Sequence, residues 1–420
     1  RIMDKIIVDG KSNLIGSIDI PGSKNATLPI LVASLLSKKN LKINNIPDLE
    51  DIKSMIKLLK SFGVSVTKKE NEVILNAKNL KNNIADYDLV RKMRASILVL
   101  GPLLVRFKKA TISLPGGCAI GTRPINIHLD SLSKLGVKFK IENGFVKGIV
   151  EKELVGSKII LPFPSVGATE NLLMTACLSK GTTIIKNPAR EPEIIDLAKS
   201  LNSMGAKIAG SGSNTIIIEG VKNLKEANHK IMFDRITAGT FIIAAVMTNS
   251  KFKINNINIK YLTSLIQTLN KMKAKLKIQK NSITVNPTSE IKGININTAP
   301  YPGFPTDLQA QMMALMCLAK GNSKISEKIF ENRFLHVAEL NRLGANIKVI
   351  KDTAFIQGNV RFKGAQVMAS DLRASVSLVL AAICAEGKTV INRVYHLDRG
   401  YEKIENTLGK LGPSIKREKY

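Results

Sequence analysis

One unit of about 70 residues recurs six times along this chain of 420, and that repetition limits the fold more than any single motif does. Each copy reads as an apolar helix rich in small residues, a turn at Gly, Lys or Asn, and a short strand. An amphipathic helix with a Leu-Gly-like ending follows, and then two more strands. The first copy runs from Ala26 through LPILVASLLS, LKINNI and DIKSMIKLLKSFG to VSVTKK and VILNA. The second uses ASILVLGPLLV, ATISLPG and HLDSLSKLG. The third reads TENLLMTACLSKG, TTIIKN, EPEIIDLAKSLNSMG, AKIAGSG and TIIIEG, and the others start at TAGTFIIAAVM, DLQAQMMALMCLAKG and DLRASVSLVLAAICAEG.

The two helices of a copy differ in pattern. In the second, apolar residues fall at i, i+3, i+4 and i+7, as at Ile194, Leu197, Ala198 and Leu201, with glycine where a C-cap takes positive φ. The first is apolar nearly all round, which predicts burial rather than a surface position. A chain this long exceeds the ~250–300 residues at which a single core stops growing, so six copies divide into two domains of three. Pro21-Gly22-Ser23-Lys24-Asn25 and the stretch from His229 to Arg235 mark two chain crossings. One domain then covers 24–232. The other covers 1–23 and 233–420, holds both termini and begins with a leading strand at 4–20. The expected ligand site is the cleft between domains.

Charge is the loudest property and constrains least. Lys and Arg number 63 against 33 Asp and Glu, a formal net charge of +30. The lysines are spread through every segment, aromatic residues make up only 5%, and there is no tryptophan, so stacking platforms for nucleic acid are scarce. A diffuse positive field raises encounter rates with anionic metabolites. No apolar run approaches the ~18 residues that span a bilayer, and the start lacks a signal peptide's apolar core and cleavage site. Four cysteines without metal-ligand spacing suit a reducing compartment, so a cytoplasmic location is expected.

Of those cysteines, Cys177, Cys317 and Cys384 lie in apolar helical runs and read as small buried hydrophobes. Cys118 stands apart, in the glycine-rich loop LPGGCAIGTRP from Leu114 to Pro124. A thiol on a polar loop is a liability unless its reactivity is used. Arg94, Arg123, Arg333, Arg373 and Arg399 each sit at the start of a helix or in a connection after a strand, where helix N-termini and guanidinium forks receive phosphate and carboxylate. Lys24 occupies a similar loop-to-helix junction. Asp51, Asp307 and Asp371 each stand where a helix begins, and an N-cap role suits all three. The chain has no GxxxxGK[ST] or HExxH motif, Gly210–Asn214 reads as a hairpin turn, and four histidines without ligand spacing argue against a metal.

With LPGGCAIGTRP, GSKNATLPILVASLL, PYPGFPTDLQAQ, ENRFLHVAEL, DLRAS and YHLDRGYE in this order, the whole chain resembles the UDP-N-acetylglucosamine enolpyruvyl transferases. The resemblance implies two inside-out α/β barrels, each of three repeated units, with a cleft between. It implies addition of phosphoenolpyruvate to the 3-hydroxyl of UDP-N-acetylglucosamine with release of phosphate, by a monomer, without cofactor, metal, nucleic acid or membrane insertion. It makes Cys118 the acid that protonates the vinyl carbon and the thiol that fosfomycin alkylates. Asp307 becomes the acceptor of the sugar hydroxyl's proton. Lys24, Arg123 and Arg399, with Asn25, match the positions that bind phosphoenolpyruvate. Arg94, Arg123, Pro124, Ile125, Asn126, Ile127, Ser165, Val166, Gly167, Asp307 and Ile329 match those that hold the nucleotide sugar. Arg333 and Arg373 extend the cationic surface. The chain departs from the family at Thr237, where glutamate is common, and at Phe163-Pro164, where some members carry a basic residue. The shikimate 3-phosphate enolpyruvyl transferases, which lack the Gly-Gly-Cys loop, are the nearest alternative. A non-catalytic nucleic-acid binder is the other.

Overall fold

A computed structural model describes residues 3–114 and 125–419. The chain forms two compact units, one holding residues 22–114 and 125–232 and the other residues 3–21 and 233–419. Each unit contains three four-stranded sheets, one per repeat.

The third repeat shows the pattern. Lys158–Ile160 runs parallel to Thr182–Lys186, which is antiparallel to Thr215–Glu219, and Lys207–Ala209 completes the sheet on that strand's far side. Alternation decides which face is covered: Ile216 and Ile218 point inward with no exposure, while Ile217 between them is 44% exposed. The Gly210–Asn214 turn joins two antiparallel strands as expected, with Gly210 and Gly212 at φ +86° and +87°.

The six apolar helices lie inside the sheets. Lys24–Ala33, Leu100–Phe107 and Val166–Ala176 belong to one unit, and Arg235–Met247, Gln309–Leu318 and Leu372–Cys384 to the other. All thirteen residues of Arg235–Met247 are buried, which explains how a segment rich in Ile, Thr and Val stays helical: packing outweighs a propensity deficit of a few tenths of a kcal/mol per residue. The amphipathic second helix ends in glycine in five of the six repeats, with Gly63, Gly136, Gly205, Gly344 and Gly412 at φ between +100° and +121°. In the fourth repeat Lys273 takes that place at φ +70°. Ile194, Leu197, Ala198 and Leu201 all face the core.

The leading segment differs from the single strand expected over 4–20. It forms two strands, Lys5–Asp9 and Ser17–Asp19, separated by a turn at Gly16 with φ +90°. Lys5–Asp9 inserts between Lys388–Asn392 and Ser414–Glu418, antiparallel to both, and supplies the strand that the last repeat lacks. Ser17–Asp19 lies parallel to Phe252–Asn255 as the edge of the fourth repeat's sheet. In the other unit Ala227–Lys230 does the same beside Leu41–Asn44 of the first repeat. Each sheet therefore has a parallel edge strand of two to four residues that the three-strand repeat reading did not include. Segments so short carry no period to read.

At the first crossing Gly22 has no alternative: a Cβ there would stand 1.8 Å from the carbonyl oxygen of Asn45. Among the described residues no helix is long and apolar enough to cross a membrane.

Candidate active site

Lys24, Arg94, Val166, Gly167, Asp307 and Arg373 each lie at or just before the N-terminal end of the central helix of their repeat. In the unit around 22–232, Ser23 caps helix Lys24–Ala33 by accepting the Ala26 N–H at 3.1 Å. This puts Lys24 in the first turn, where its ammonium is buried and lies 3.1 Å from Asp51 Oδ2. Asp51 is therefore not the cap that its position suggested. The cap of helix Glu50–Ser61 is Leu49, which makes no side-chain bond, and Asp51 turns instead to Lys24. A buried ammonium needs such a partner, because an uncompensated charge costs several kcal/mol. Asn25 is half-buried beside it.

Arg94 opens the 3-10 segment Arg94–Val99 of the second repeat and is half-buried. In the third repeat Ser165 caps helix Val166–Ala176 by accepting from Ala168 N at 3.2 Å, which places Val166 and Gly167 in the first turn. Gly167 lies against His128, whose Cε1 would be 2.9 Å from an added Cβ. His128 belongs to helix Asn126–Ser133, just after Ile125, so its contact fixes the start of that helix beside the Ser165 turn. Asn171 Nδ2 lies 3.0 Å from His128 Nδ1 and donates to the Ile97 carbonyl at 3.1 Å. Burial, helped by the nearby Arg94 charge, pushes the His128 imidazole down to about 4, so it is neutral near pH 7. Ile125 and Ile127 are partly buried against the core, whereas Asn126 is exposed. Cys118, Arg123 and Pro124 lie outside the described residues.

In the unit holding 233–419, Asp307 sits in the 3-10 turn Thr306–Leu308 ahead of helix Gln309–Leu318. The cap positions of that turn and of the helix are held by Pro305 and Leu308, not by Asp307. Its carboxylate instead faces two arginines, with Arg333 Nη2 2.9 Å from Oδ1 and Arg373 Nε 3.7 Å from Oδ2. Both guanidinium groups are buried while the carboxylate keeps 27% exposure, so Asp307 is the member of the trio open to a reactant. Asp371 does cap its helix: Oδ1 accepts from Arg373 N and Ala374 N, which places Arg373 in the first turn. Burial disfavours the Arg373 charge, but Tyr401, Asp307 and Asp234 around it raise its pKa overall.

Glu327, unnoticed in the sequence, is the acceptor that orders this region. Its carboxylate takes the Thr298 and Thr306 hydroxyls at 2.8 and 2.7 Å, Gln309 Nε2 at 3.3 Å, and the backbone N–H groups of Ile329 and Phe330 at 3.0 and 3.3 Å. One side chain thus fixes both the Thr306 turn beside Asp307 and the backbone of Ile329. Its only sequence signal is a charge directly after an alternating strand, at Ser323–Ser326. Arg333 is held by Asp307 and lies over the Phe330 ring, 5.2 Å from its centroid. Arg399 ends the 3-10 segment Val394–Arg399 and is half-buried. Thr237, at the position of departure, is buried with its N–H bonded to Asp234 Oδ1 at 2.9 Å.

The remaining thiols are inert by location, since burial pushes Cys177, Cys317 and Cys384 up to about 12.

A helix N-terminus already carries partial positive charge, and Lys24 and Arg373 add a full cation at that end, where the macrodipole disfavours one. Placing buried cations there makes a receptor for anions.

The sequence model of the EPSP synthase (3-phosphoshikimate 1-carboxyvinyltransferase) family matches residues 8–408. A UDP-N-acetylglucosamine 1-carboxyvinyltransferase of Pelagibacter ubique (strain HTCC1062) is 54% identical over 415 residues, covering 99% of this chain and 100% of that protein. One of Geotalea uraniireducens (strain Rf4) is 49% identical over 415 residues and covers 99% of each. Among solved structures, the enolpyruvyl transferase NikO from Streptomyces tendae superposes with a TM-score of 0.91 at 22% identity over 100% of both chains. The EPSP synthase of Acinetobacter baumannii gives 0.77 at 19% identity, covering 99% of this chain and 100% of that one. At such identities these two structures speak for the fold, which is the pair of inside-out α/β barrels.

Proposed function

The chain belongs to the EPSP synthase family of enolpyruvyl transferases, and we infer from its residues how it carries out the reaction of its full-length, half-identical relatives. It transfers the enolpyruvyl group of phosphoenolpyruvate to the 3-hydroxyl of UDP-N-acetylglucosamine and releases phosphate, the step that opens peptidoglycan synthesis. The family model takes its description from the shikimate 3-phosphate enzyme, but the full-length relatives at about half identity carry the nucleotide-sugar name, whereas the EPSP synthase structure shares only 19%.

The observation that carries the proposed roles is the Asp307 carboxylate, part-exposed and held by two buried arginines. Adding an alcohol to an enol phosphate needs a base for the hydroxyl proton and an acid for the vinyl carbon, each contributing typically ~10²–10⁴-fold. Asp307 is the base and Cys118 the acid. Arg333 and Arg373 hold the carboxylate in one orientation. Lys24, Arg123 and Arg399, with Asn25, bind the phosphate and carboxylate of phosphoenolpyruvate, and Asp51 holds the Lys24 ammonium in place. Arg94, Arg123 to Ile127, Ser165 to Gly167 and Ile329 hold the nucleotide sugar, partly through backbone groups that the Ser165 cap and Glu327 set. The reading takes the protein to be a cytoplasmic monomer without cofactor or nucleic-acid partner.

The test is phosphate release by Asp307→Asn and Cys118→Ser. Loss of turnover in both, with Asp307→Asn still binding UDP-N-acetylglucosamine, is the expected result. Wild-type turnover in either removes its assigned role.

A further inference from the structure

Both ends of residue 307 are tied into one closed circuit of side chains. The circuit leaves by the carboxylate, with Arg373 Nε 3.7 Å from Oδ2. Arg373 Nη1 then donates to the Tyr401 hydroxyl at 3.3 Å, and its guanidinium lies over the Tyr401 ring, 5.6 Å from the centroid. Tyr401 Oη and Thr240 Oγ1 are 2.9 Å apart. Gln311 Nε2 donates to Thr240 Oγ1 at 3.1 Å and to the main-chain carbonyl of Asp307 at 3.0 Å, which returns the circuit to its start.

Counting protons fixes the direction of each bond. Thr240 has one hydroxyl proton, and it goes to the Ile236 carbonyl at 2.9 Å. Thr240 can therefore only accept from its other two neighbours, so the Tyr401 hydroxyl donates to it and in turn accepts from Arg373. Burial pushes the Tyr401 phenol up, which keeps that proton in place. The circuit crosses the N-terminal parts of all three central helices of its unit: Thr240 on Arg235–Met247, Gln311 on Gln309–Leu318 and Arg373 on Leu372–Cys384.

We propose that Tyr401, acting through Arg373 on one side and through Thr240 and Gln311 on the other, is a positioning residue that sets the aim of the Asp307 carboxylate. None of these hydroxyl or amide groups exchanges a proton with substrate. Their work is to keep the 3-10 turn at Thr306–Leu308 and the Arg373 guanidinium in a fixed relation, so that the carboxylate meets the sugar hydroxyl in reacting geometry. The inference rests on the assignment of Asp307 as base.

The test is steady-state phosphate release from phosphoenolpyruvate and UDP-N-acetylglucosamine by Tyr401→Phe, Thr240→Val, their double variant and Asp307→Asn. Tyr401→Phe keeps the ring under Arg373 and removes only the hydroxyl. Since a displacement of about 1 Å can cost about 10²-fold, the expected result is a fall in kcat of roughly 10- to 100-fold with both KM values held within about threefold. Thr240→Val opens the same circuit, so it should match that loss, and the double variant should lose no more than either single one. Wild-type kcat in both single variants overturns the proposal. So does a raised KM with unchanged kcat, which would mean that Tyr401 serves Arg373 as a binding group only. Wild-type turnover in Asp307→Asn is a separate outcome that removes the base assignment itself.

Discussion

The ammonium of Lys24 and the carboxylate of Asp51 meet at 3.1 Å where the two helices of the first repeat begin, and both groups are almost wholly buried. The pair makes a cation available at a helix N-terminus without leaving it uncompensated. Asp51→Ala removes the carboxylate that faces this buried ammonium, and the expected cost is up to about 3–5 kcal/mol of stability. Urea unfolding at pH 7 reads that loss. The same variant should raise KM for phosphoenolpyruvate through the loss of lysine placement, while Asp51→Asn, which keeps a hydrogen-bond acceptor, should lose less of both. An Asp51→Ala protein of wild-type stability would show that Lys24 finds its counter-charge elsewhere.

Glu327 collects five donors around the Asp307 turn and the Ile329 backbone. Glu327→Gln cannot accept at both terminal atoms, and buried donors left without a partner cost about 1–3 kcal/mol each. The variant should therefore unfold at lower urea and bind UDP-N-acetylglucosamine more weakly, as read by calorimetric titration. Unchanged affinity would separate Glu327 from the sugar site and leave it a purely structural acceptor.

Thiol chemistry should divide the four cysteines cleanly. With pKa values near 12 and apolar surroundings, Cys177, Cys317 and Cys384 stay protonated at neutral pH. Treatment of the folded protein with fosfomycin, followed by peptide mass analysis, should add mass to the peptide containing Cys118 and to no other. Modification at any of the three helical cysteines would contradict this.

Burial sets a pH window through His336. The ring is buried with neither nitrogen hydrogen-bonded among the described residues, and its pKa falls from the ordinary 6.5 to about 4, chiefly by desolvation, with Asp371 opposing and Arg333 assisting that fall. Between these values the unfolded chain binds the proton and the folded one does not, so stability rises with pH across pH 4 to 6.5 and is lost as pH falls. One such group contributes a slope of up to about 1.36 kcal/mol per pH unit. His128 acts with the same sign. In urea unfolding at pH 4.5, 5.5 and 6.5, His336→Gln should have a shallower slope than wild type by about one group's share. An unchanged slope would mean that His336 is protonated in the fold.

What could be read from residues alone followed periodicity. The central helices showed as runs apolar on every side, and Ile194, Leu197, Ala198 and Leu201 gave the amphipathic face that the structure buries. Ser17–Asp19 merges into the one leading strand expected over 4–20, and strands as short as Ile84–Ala85 hold no full pattern, so the parallel edge strand of the other sheets was invisible. So was the use of Lys5–Asp9 by the last repeat, a pairing that spans nearly the whole chain. At the candidate site, Lys24, Asp307, Arg333 and Arg373 stood out as charged residues at helix starts or in the connections after strands. Asp51 looked like a cap because it too lies at a helix start, and only its three-dimensional neighbour distinguishes the roles. Glu327, Thr240, Gln311 and Tyr401 each have at least one partner far away in sequence, and no local pattern marks those pairings.

The central claim is that phosphoenolpyruvate gives its enolpyruvyl group to a nucleotide sugar. The direct measurement is phosphate release by the full chain with phosphoenolpyruvate plus UDP-N-acetylglucosamine, with each omitted in turn, and with shikimate 3-phosphate as a substitute acceptor. Release that requires both phosphoenolpyruvate and UDP-N-acetylglucosamine is the expected result. Release with shikimate 3-phosphate in place of the nucleotide sugar, or none with the pair, would contradict it.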